Sequence, residues 1–323
     1  VTESAQSAST GFAGRSLHVF PPQGTFAPAA LFAAIRRSAQ FAGIFEQIAK
    51  QADEVTAPRG GVELARFLTD AEPPSAEELQ QAHTLELASY AASLAAHRSL
   101  SERYGRPAVV LGVSAGDFAA MTAAGVFGLE DGIHLALDAA AVQRSCPGRM
   151  VALQCSREEA DEVVARSKAR DAVLALVFDD RSVVVTVAGA DVRAVCEAAA
   201  GMGVKAALAP VPFGSHHPGL SRQADVLCAV VSSYPRRPAA LPVHSAAGGR
   251  VYRDGDALPR AMADNLVLPV DFPSSLRQSL FPGVRQVFDL DTGGALAPSV
   301  RRILALSAVE AVHAPFTEPD FAW

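Results

Sequence analysis

Apolar residues recur along this chain in two rhythms, and the switches between them mark its elements. Leu17 to Pro21 is a short apolar run ending in Pro21-Pro22-Gln23-Gly24, which predicts a strand followed by a loop. Helical spacing follows at about Ala27 to Ile48 and again from Glu77 to Tyr104, where Leu85, Leu87, Tyr90, Leu94 and Leu100 recur among alanines. Val109-Val110-Leu111 predicts a second strand. It runs through Gly112-Val113-Ser114-Ala115-Gly116 into a helix over roughly Ala115 to Ala124, closed by Gly125. Leu129-Glu130-Asp131 opens another helix, which continues to about Gln143 and stops near Pro147-Gly148.

The pattern then changes. Strand Met150 to Cys155, helix Glu158 to Lys168, strands Ala172 to Phe178 and Ser182 to Val187, helix Asp191 to Met202 and strand Val204 to Ala209 follow in turn. That order is β-α-β-β-α-β, the split arrangement of a ferredoxin-like subdomain, with Asp179-Asp180-Arg181 as its central turn. From Pro212 the mixed α/β character returns, with proline-rich joints at Pro235 to Pro242 and Pro269 to Pro273. The expected fold class is therefore α/β. A large α/β-hydrolase-like lobe with a parallel sheet would comprise residues 16–148 and 212–323, and residues 149–211 would form an inserted ferredoxin-like subdomain. Residues 1–15 are polar and read as a flexible tail rather than a signal peptide.

Composition narrows the class. A chain of 323 residues, 50% of them hydrophobic, can bury a large core. Its longest apolar runs, such as Ala172 to Phe178, have the length of strands and fall far short of a membrane span, so a soluble, cytoplasmic protein without a membrane partner is expected. A net charge of −6 argues against nucleic acid as a partner. Cys146, Cys155, Cys196 and Cys228 lack paired spacing, which favours reduced thiols over disulfides or a zinc site.

Gly-x-Ser-x-Gly between a strand and a helix is a nucleophile elbow. Gly112 and Gly116 allow a sharp turn that exposes the Ser114 hydroxyl, and the following helix directs its amides and positive dipole end toward it. Serine attacks only when a base takes its proton, and eight histidines compete for that role. His216, in Phe213-Gly214-Ser215-His216-His217-Pro218, is the best placed, on a loop just past the subdomain. His18, His83, His97 and His134 lie in strand or helix bodies and read as surface or core-edge residues. The neighbours His216 and His217 lack an HExxH pattern or a third ligand, so no metal is expected. An ordinary α/β-hydrolase would need an acid before a late histidine; the ferredoxin-like segment argues against it, and His244 and His313 have unremarkable surroundings.

Taken together, these motifs resemble the family of malonyl-CoA:acyl carrier protein transacylases and polyketide synthase acyltransferase domains. Four landmarks appear in the family's order over about residues 17 to 305. Phe20-Pro21-Pro22-Gln23-Gly24-Thr25 stands where the family has Pro-Gly-Gln-Gly-Ser, and Gly112-Val113-Ser114-Ala115-Gly116 stands where it has Gly-His-Ser-x-Gly. Phe213-Gly214-Ser215-His216 holds the position of the catalytic histidine, and Asp264-Asn265-Leu266-Val267-Leu268-Pro269-Val270 that of an Asn-Leu-x-x-Pro-Val segment. The resemblance implies Ser114 as the nucleophile that forms an acyl ester and His216 as general acid and base. It also implies an oxyanion hole from the backbone amides of Gln23 and Ala115, with Asn265 orienting His216 through a main-chain or side-chain oxygen. No bound cofactor is implied. The substrate would arrive as a phosphopantetheine thioester, on acyl-CoA or an acyl carrier protein, and a carrier protein would be the partner.

Three departures bear on the acyl group. The family's Arg-Gly in the helix after the elbow falls at Ala139-Ala140, and a methyl group cannot replace the guanidinium that pairs with a malonyl-type carboxylate. Arg144 lies five residues on, about 140° around the helix from Ala139. Ser215 stands where malonyl-specific members commonly have phenylalanine, which leaves room for a longer or branched chain. Val113 replaces the family's histidine, and Phe26 and Phe178 replace polar residues, so the acyl pocket becomes more apolar. The expectation is a discrete acyltransferase of polyketide or related secondary metabolism, such as antibiotic biosynthesis, that moves a non-carboxylated acyl group between thioesters through acyl-Ser114. Two alternatives are an editing hydrolase of the same fold, which lets water attack that ester, and a non-catalytic scaffold that binds carrier proteins.

Overall fold

The computed structural model describes residues 15–80, 83–253, 257–281 and 283–323. Residues 1–14 of the expected tail lie outside the described residues, while the Arg15 carbonyl accepts from the backbone N–H of Arg285 and Gln286. The chain begins β1 (Ser16–Phe20), α1 (Pro28–Arg37), α2 (Ala39–Thr56), α3 (Arg66–Thr69), α4 (Ala76–Leu79), α5 (Thr84–Tyr104), β2 (Val109–Gly112), α6 (Gly116–Ala123) and α7 (Leu129–Arg144). It continues β3 (Arg149–Gln154), α8 (Arg157–Ser167), β4 (Val173–Asp179), β5 (Ser182–Val187), α9 (Val192–Gly201), β6 (Lys205–Leu208) and α10 (Ser221–Ser232). The last stretch holds β7 (Val243–Ser245), β8 (Arg250–Tyr252), α11 (Leu258–Ala263), β9 (Val270–Asp271), α12 (Phe272–Gln278), β10 (Gln286–Asp289), α13 (Ala297–Ile303) and β11 (Ala311–His313). Two compact units divide these elements. One comprises the described residues of Val1–Leu137, Tyr234–His244 and Gln278–Trp323, the other Asp138–Ser233 and those of Ser245–Arg277.

In the first unit, β11, β10, β1 and β2 lie side by side in parallel, with Leu17 in register with both Val287 and Val109. Parallel strands are covered on both faces, which explains why Leu17, Val19, Phe20, Val109, Val110 and Leu111 are all fully buried. β7 continues the sheet beyond β2, and the Val110 N–H donates to the Pro242 carbonyl at 3.0 Å.

Two helical readings need correction. The single helix expected over Ala27 to Ile48 is broken at Ser38, whose backbone is extended and whose hydroxyl accepts from the Phe41 N–H at 3.1 Å, and the second piece runs on to Thr56. A serine that satisfies a first-turn amide starts a helix even where the apolar spacing runs through it. The helix expected from Glu77 is likewise divided, into the short α4, capped by Ser75 and Glu78, and α5, which His83 precedes in the left-handed conformation. Residues 81 and 82 lie outside the described residues.

His18 and His97 are also corrected. Neither is a surface or core-edge residue: His18 is fully buried in β1 and His97 is 7% exposed on α5. Their Nδ1 atoms lie 3.0 Å apart, so one neutral ring donates to the other and each satisfies a group that burial strips of water. Burial, helped by the neighbouring charges of Arg98 and Arg106, pushes His97 down to about 4, and burial together with His97 pushes His18 well down. Because both folded values lie below the unfolded value near 6.5, the unfolded chain binds more protons in acid. Their contribution to stability is complete above about pH 6.5 and is lost as the pH falls toward the folded values. Denaturant melts should show wild type losing at least about 3 kcal/mol between pH 7 and pH 4, the share of His97 alone, relative to a His18→Leu, His97→Leu double variant. Parallel pH dependence of the two proteins would refute this.

The second unit contains the expected β-α-β-β-α-β order as β3, α8, β4, β5, α9 and β6, and its sheet runs β6-β3-β5-β4, antiparallel throughout. Successive side chains point to opposite faces of β3 and β5, which places Val151, Leu153, Val183, Val185 and Val187 in one core with Val195 of α9. The Asp179 carboxylate accepts from the Arg181 N–H at 2.7 Å and so closes the turn between β4 and β5. A further strand joins this sheet. β9 pairs in parallel with β4, setting Leu176 against Val270 and Val177 against Asp271.

Among the described residues no helix is long and apolar enough to cross a membrane. All four cysteines are free; Cys146 and Cys155 are buried, while Cys196 and Cys228 are half-buried.

Candidate active site

The elbow is built as its glycines require. Ser114 has a φ of 56°, a left-handed conformation that costs a residue with a Cβ about 1 to 3 kcal/mol. A Cβ on Gly112 would lie 2.2 Å from Asp117 Oδ1 and 2.6 Å from its Cα. One on Gly116 would lie 2.4 Å from the Phe20 carbonyl oxygen and 2.7 Å from that of Pro21. Any side chain at either position would therefore force the turn apart. The closeness at Gly116 also has a positive use, since it lets the exit from β1 press against the start of α6. The Val113 N–H donates to the Phe20 carbonyl at 3.1 Å and fixes that approach. The Gln23 loop thus departs directly beside the elbow, and Ala115 is the N-cap of α6, whose first amides, on Gly116, Asp117 and Phe118, bond back to the Val113, Ser114 and Ala115 carbonyls.

His216 belongs to the second unit. It too is left-handed, with a φ of 56°, and it is 1% exposed. Its Nδ1–H donates to the Leu268 carbonyl at 2.9 Å, because a carbonyl can only accept; the lone pair therefore resides on Nε2, the atom that can take a proton. Burial pushes the ring down to about 4, against the opposing pull of the Leu268 and Asn265 main chain. The residue before it, Ser215, is buried, and its carbonyl accepts from the Thr186 hydroxyl at 2.6 Å. His217 is committed elsewhere: Nε2 donates to the Asp171 carbonyl at 2.7 Å and Nδ1 accepts from the Gly219 N–H at 2.9 Å.

Gln23, Phe26, Val113, Ser114 and Ala115 lie in the first unit, and Ala139, Phe178, Ser215, His216 and Asn265 in the second. Within the first, the elbow and the Gln23 loop adjoin; Val113 is fully buried, and the Phe26 ring meets Phe67 edge-on at 6.3 Å. Within the second, Ser215, His216 and the Asn265–Val270 segment come together. Ala139 is fully buried in α7, and Phe178 on β4 packs against Phe272 at 6.5 Å. Leu268 is the residue that sequence reasoning missed. It acts through a carbonyl, which every residue possesses, and its only signal was its place inside the Asn-Leu-x-x-Pro-Val segment. Among the described residues no group of His, Cys, Asp and Glu is arranged to hold a metal ion.

Comparison with known proteins bears on this geometry. The profile of the acyl transferase domain matches residues 20–290. The chain is 30% identical over 313 residues to the spectinabilin polyketide synthase system protein NorC of Streptomyces orinoci, covering 94% of this chain but 13% of that much longer protein. Among solved structures, the malonyl-CoA:acyl carrier protein transacylase of Xanthomonas oryzae pv. oryzae superposes with a TM-score of 0.77 at 25% identity, covering 92% of this chain and 93% of that one. A malonyl-transacylase solved in complex with a type II polyketide synthase acyl-carrier protein gives 0.79 at 21% identity, covering 92% and 94%, and speaks for the fold alone. A strand-elbow-helix with a left-handed serine, an adjoining loop and a buried neutral histidine all fall inside the matched span, and the chain belongs to the acyl transferase domain family.

Proposed function

We propose that this chain transfers a non-carboxylated acyl group between thioesters, from acyl-CoA or an acyl carrier protein to a carrier-protein thiol, through an ester on Ser114. The observation that carries the reading is the strained elbow, since both its glycines are sterically required and they hold a left-handed serine at the head of a helix. In the first half-reaction His216 Nε2 takes the Ser114 proton as the hydroxyl oxygen attacks the thioester carbonyl. The amides of Gln23 and Ala115 stabilise the oxyanion, and the protonated ring returns its proton to the departing thiolate. In the second, the acceptor thiol gives its proton to His216, its sulfur attacks the ester carbonyl, and the protonated ring returns that proton to the departing Ser114 oxygen, which regenerates the hydroxyl and the neutral base.

The choice of cargo is supported by Ala139, a fully buried methyl where the resemblance places an arginine. A free carboxylate taken out of water without a cation is costly by several kcal/mol, on the order of 1,000-fold in binding. Ser215, Val113, Phe26 and Phe178 would complete an apolar acyl pocket. The carrier-protein partner is supported by the acyl transferase family.

Intact-mass measurement of acylated Ser114 across a panel of acyl-CoA thioesters tests this. Acetyl, propionyl, butyryl and branched acyl groups are expected to label the protein at least about 100-fold faster than malonyl or methylmalonyl groups. Preferential malonyl labelling would overturn the cargo assignment. The acyl-enzyme is expected to persist in buffer and to discharge when holo-carrier protein is added; rapid discharge in buffer alone would instead establish the editing hydrolase.

A further inference from the structure

The end of β10 and the loop that follows it carry two buried carboxyl groups for which the proposed chemistry has no use. Asp289 is fully buried, Asp291 is 1% exposed, and burial pushes both pKa values up, that of Asp289 further because Asp291 is beside it. Asp289 accepts from the Asp291 N–H at 3.1 Å through one oxygen, and from the Leu296 and Ala297 N–H groups at 3.1 and 2.7 Å through the other. Asp291 accepts from the Ala295 N–H at 2.8 Å. These bonds tie residues 289 to 297 into one stiff loop.

That stiffness is delivered to a particular place. Thr292, 3% exposed, accepts from the Ala27 N–H through its hydroxyl at 2.7 Å. A Cβ on Gly293 would lie 2.5 Å from the Thr25 carbonyl oxygen, so the two backbones touch. The Leu290 N–H donates to the Val19 carbonyl at 3.0 Å, which anchors the near end of the loop to the strand that feeds Gln23. At its other margin the Gln23 loop is held by the elbow itself, through Phe20 and Gly116. Gln23 and Gly24 thus lie between two fixed supports.

We propose that the Asp289–Ala297 segment braces the Gln23 loop, with Thr292 as the positioning residue that sets the distance from the Gln23 amide to the developing oxyanion. The inference rests on the reading of Gln23 as an oxyanion donor. A donor of this kind acts on the transition state, and its effect depends on where the amide points before reaction begins. Loosening the brace should therefore slow acylation without weakening thioester binding.

Burst-phase acylation, KM for the acyl thioester and the thermal midpoint are to be measured for Thr292→Val, Thr292→Ser and Gly293→Ala. Thr292→Val is expected to slow acylation about 10-fold with KM within about twofold of wild type, since complete loss of one oxyanion donor costs about 100- to 1,000-fold. Thr292→Ser, which keeps the acceptor, should restore the rate. Gly293→Ala should slow acylation more, because the added methyl displaces the Thr25 carbonyl. Wild-type acylation by Thr292→Val, or a loss confined to KM or to thermal stability, would overturn the brace. A Ser114→Ala control separates the levels: if it abolishes ester formation while Thr292→Val is normal, the brace alone fails, and if it leaves transfer intact, the underlying reading and the brace fall together.

Discussion

Ser114→Ala is expected to abolish the acyl-enzyme mass increment and to lower acyl transfer by roughly 10,000-fold or more, the scale on which nucleophile removal acts in enzymes that pass through a serine ester. The expectation follows from the local geometry. The serine is held in a conformation that a residue with a Cβ ordinarily avoids, and Gly112 and Gly116, two residues to either side, admit no side chain at all. Alanine fits the same backbone as well as serine does, so the variant should fold and melt like wild type, and the change is confined to one oxygen atom. This also makes it the sharpest separator of the hypotheses. A scaffold that only binds carrier proteins would lose nothing with that oxygen, whereas both the transferase and the editing hydrolase would lose their covalent intermediate. Carrier-protein binding by wild type and variant alike, with neither an acyl-enzyme increment nor transfer in the wild type, would leave the scaffold as the surviving reading.

Much of this arrangement was legible before any coordinates, because the relevant signals were steric or periodic. Glycines at 112 and 116 announce a turn that excludes side chains, and the contacts at 2.2 and 2.4 Å show why. The apolar run over Ser182–Val187 gave β5 residue for residue, and the turn at Asp179 to Arg181 was visible in its polar residues. What stayed hidden depends on partners far away in the chain. Ser38 interrupts a helix that apolar spacing carries straight through, because one hydroxyl satisfies an amide. His18 looked like a polar residue in a strand, and only its pairing with His97, across 79 positions, explains how it is buried. The carbonyl of Leu268 and the brace at Thr292 act through backbone groups or through chain segments hundreds of residues apart, and neither leaves a pattern in composition or spacing.

The state of His216 leads to the second large effect, on the pH dependence of acylation. A base must be neutral to work, and a free imidazole would lose half its neutral form near pH 6.5. Here burial disfavours the charged ring and sets the value at about 4, while Leu268 takes the Nδ1–H and leaves Nε2 ready to accept. Since the folded value is depressed, the active form is complete at neutral pH and disappears only as the pH falls through about 4. The acylation kcat/KM, which reports ionisation in the free protein, should therefore stay level from pH 8 down to about 5 and then fall by half near 4. Rates must be taken in pulses short against unfolding, because the His18 and His97 pair weakens the fold over the same acid range. His216→Ala should lower the level portion of the profile by about 1,000-fold, within the range general-base removal produces. A wild-type midpoint near 6.5 would show that the ring takes up protons from water as freely as an exposed histidine, and the base would then have to be sought elsewhere. Retention of the full rate by His216→Ala would have the same consequence.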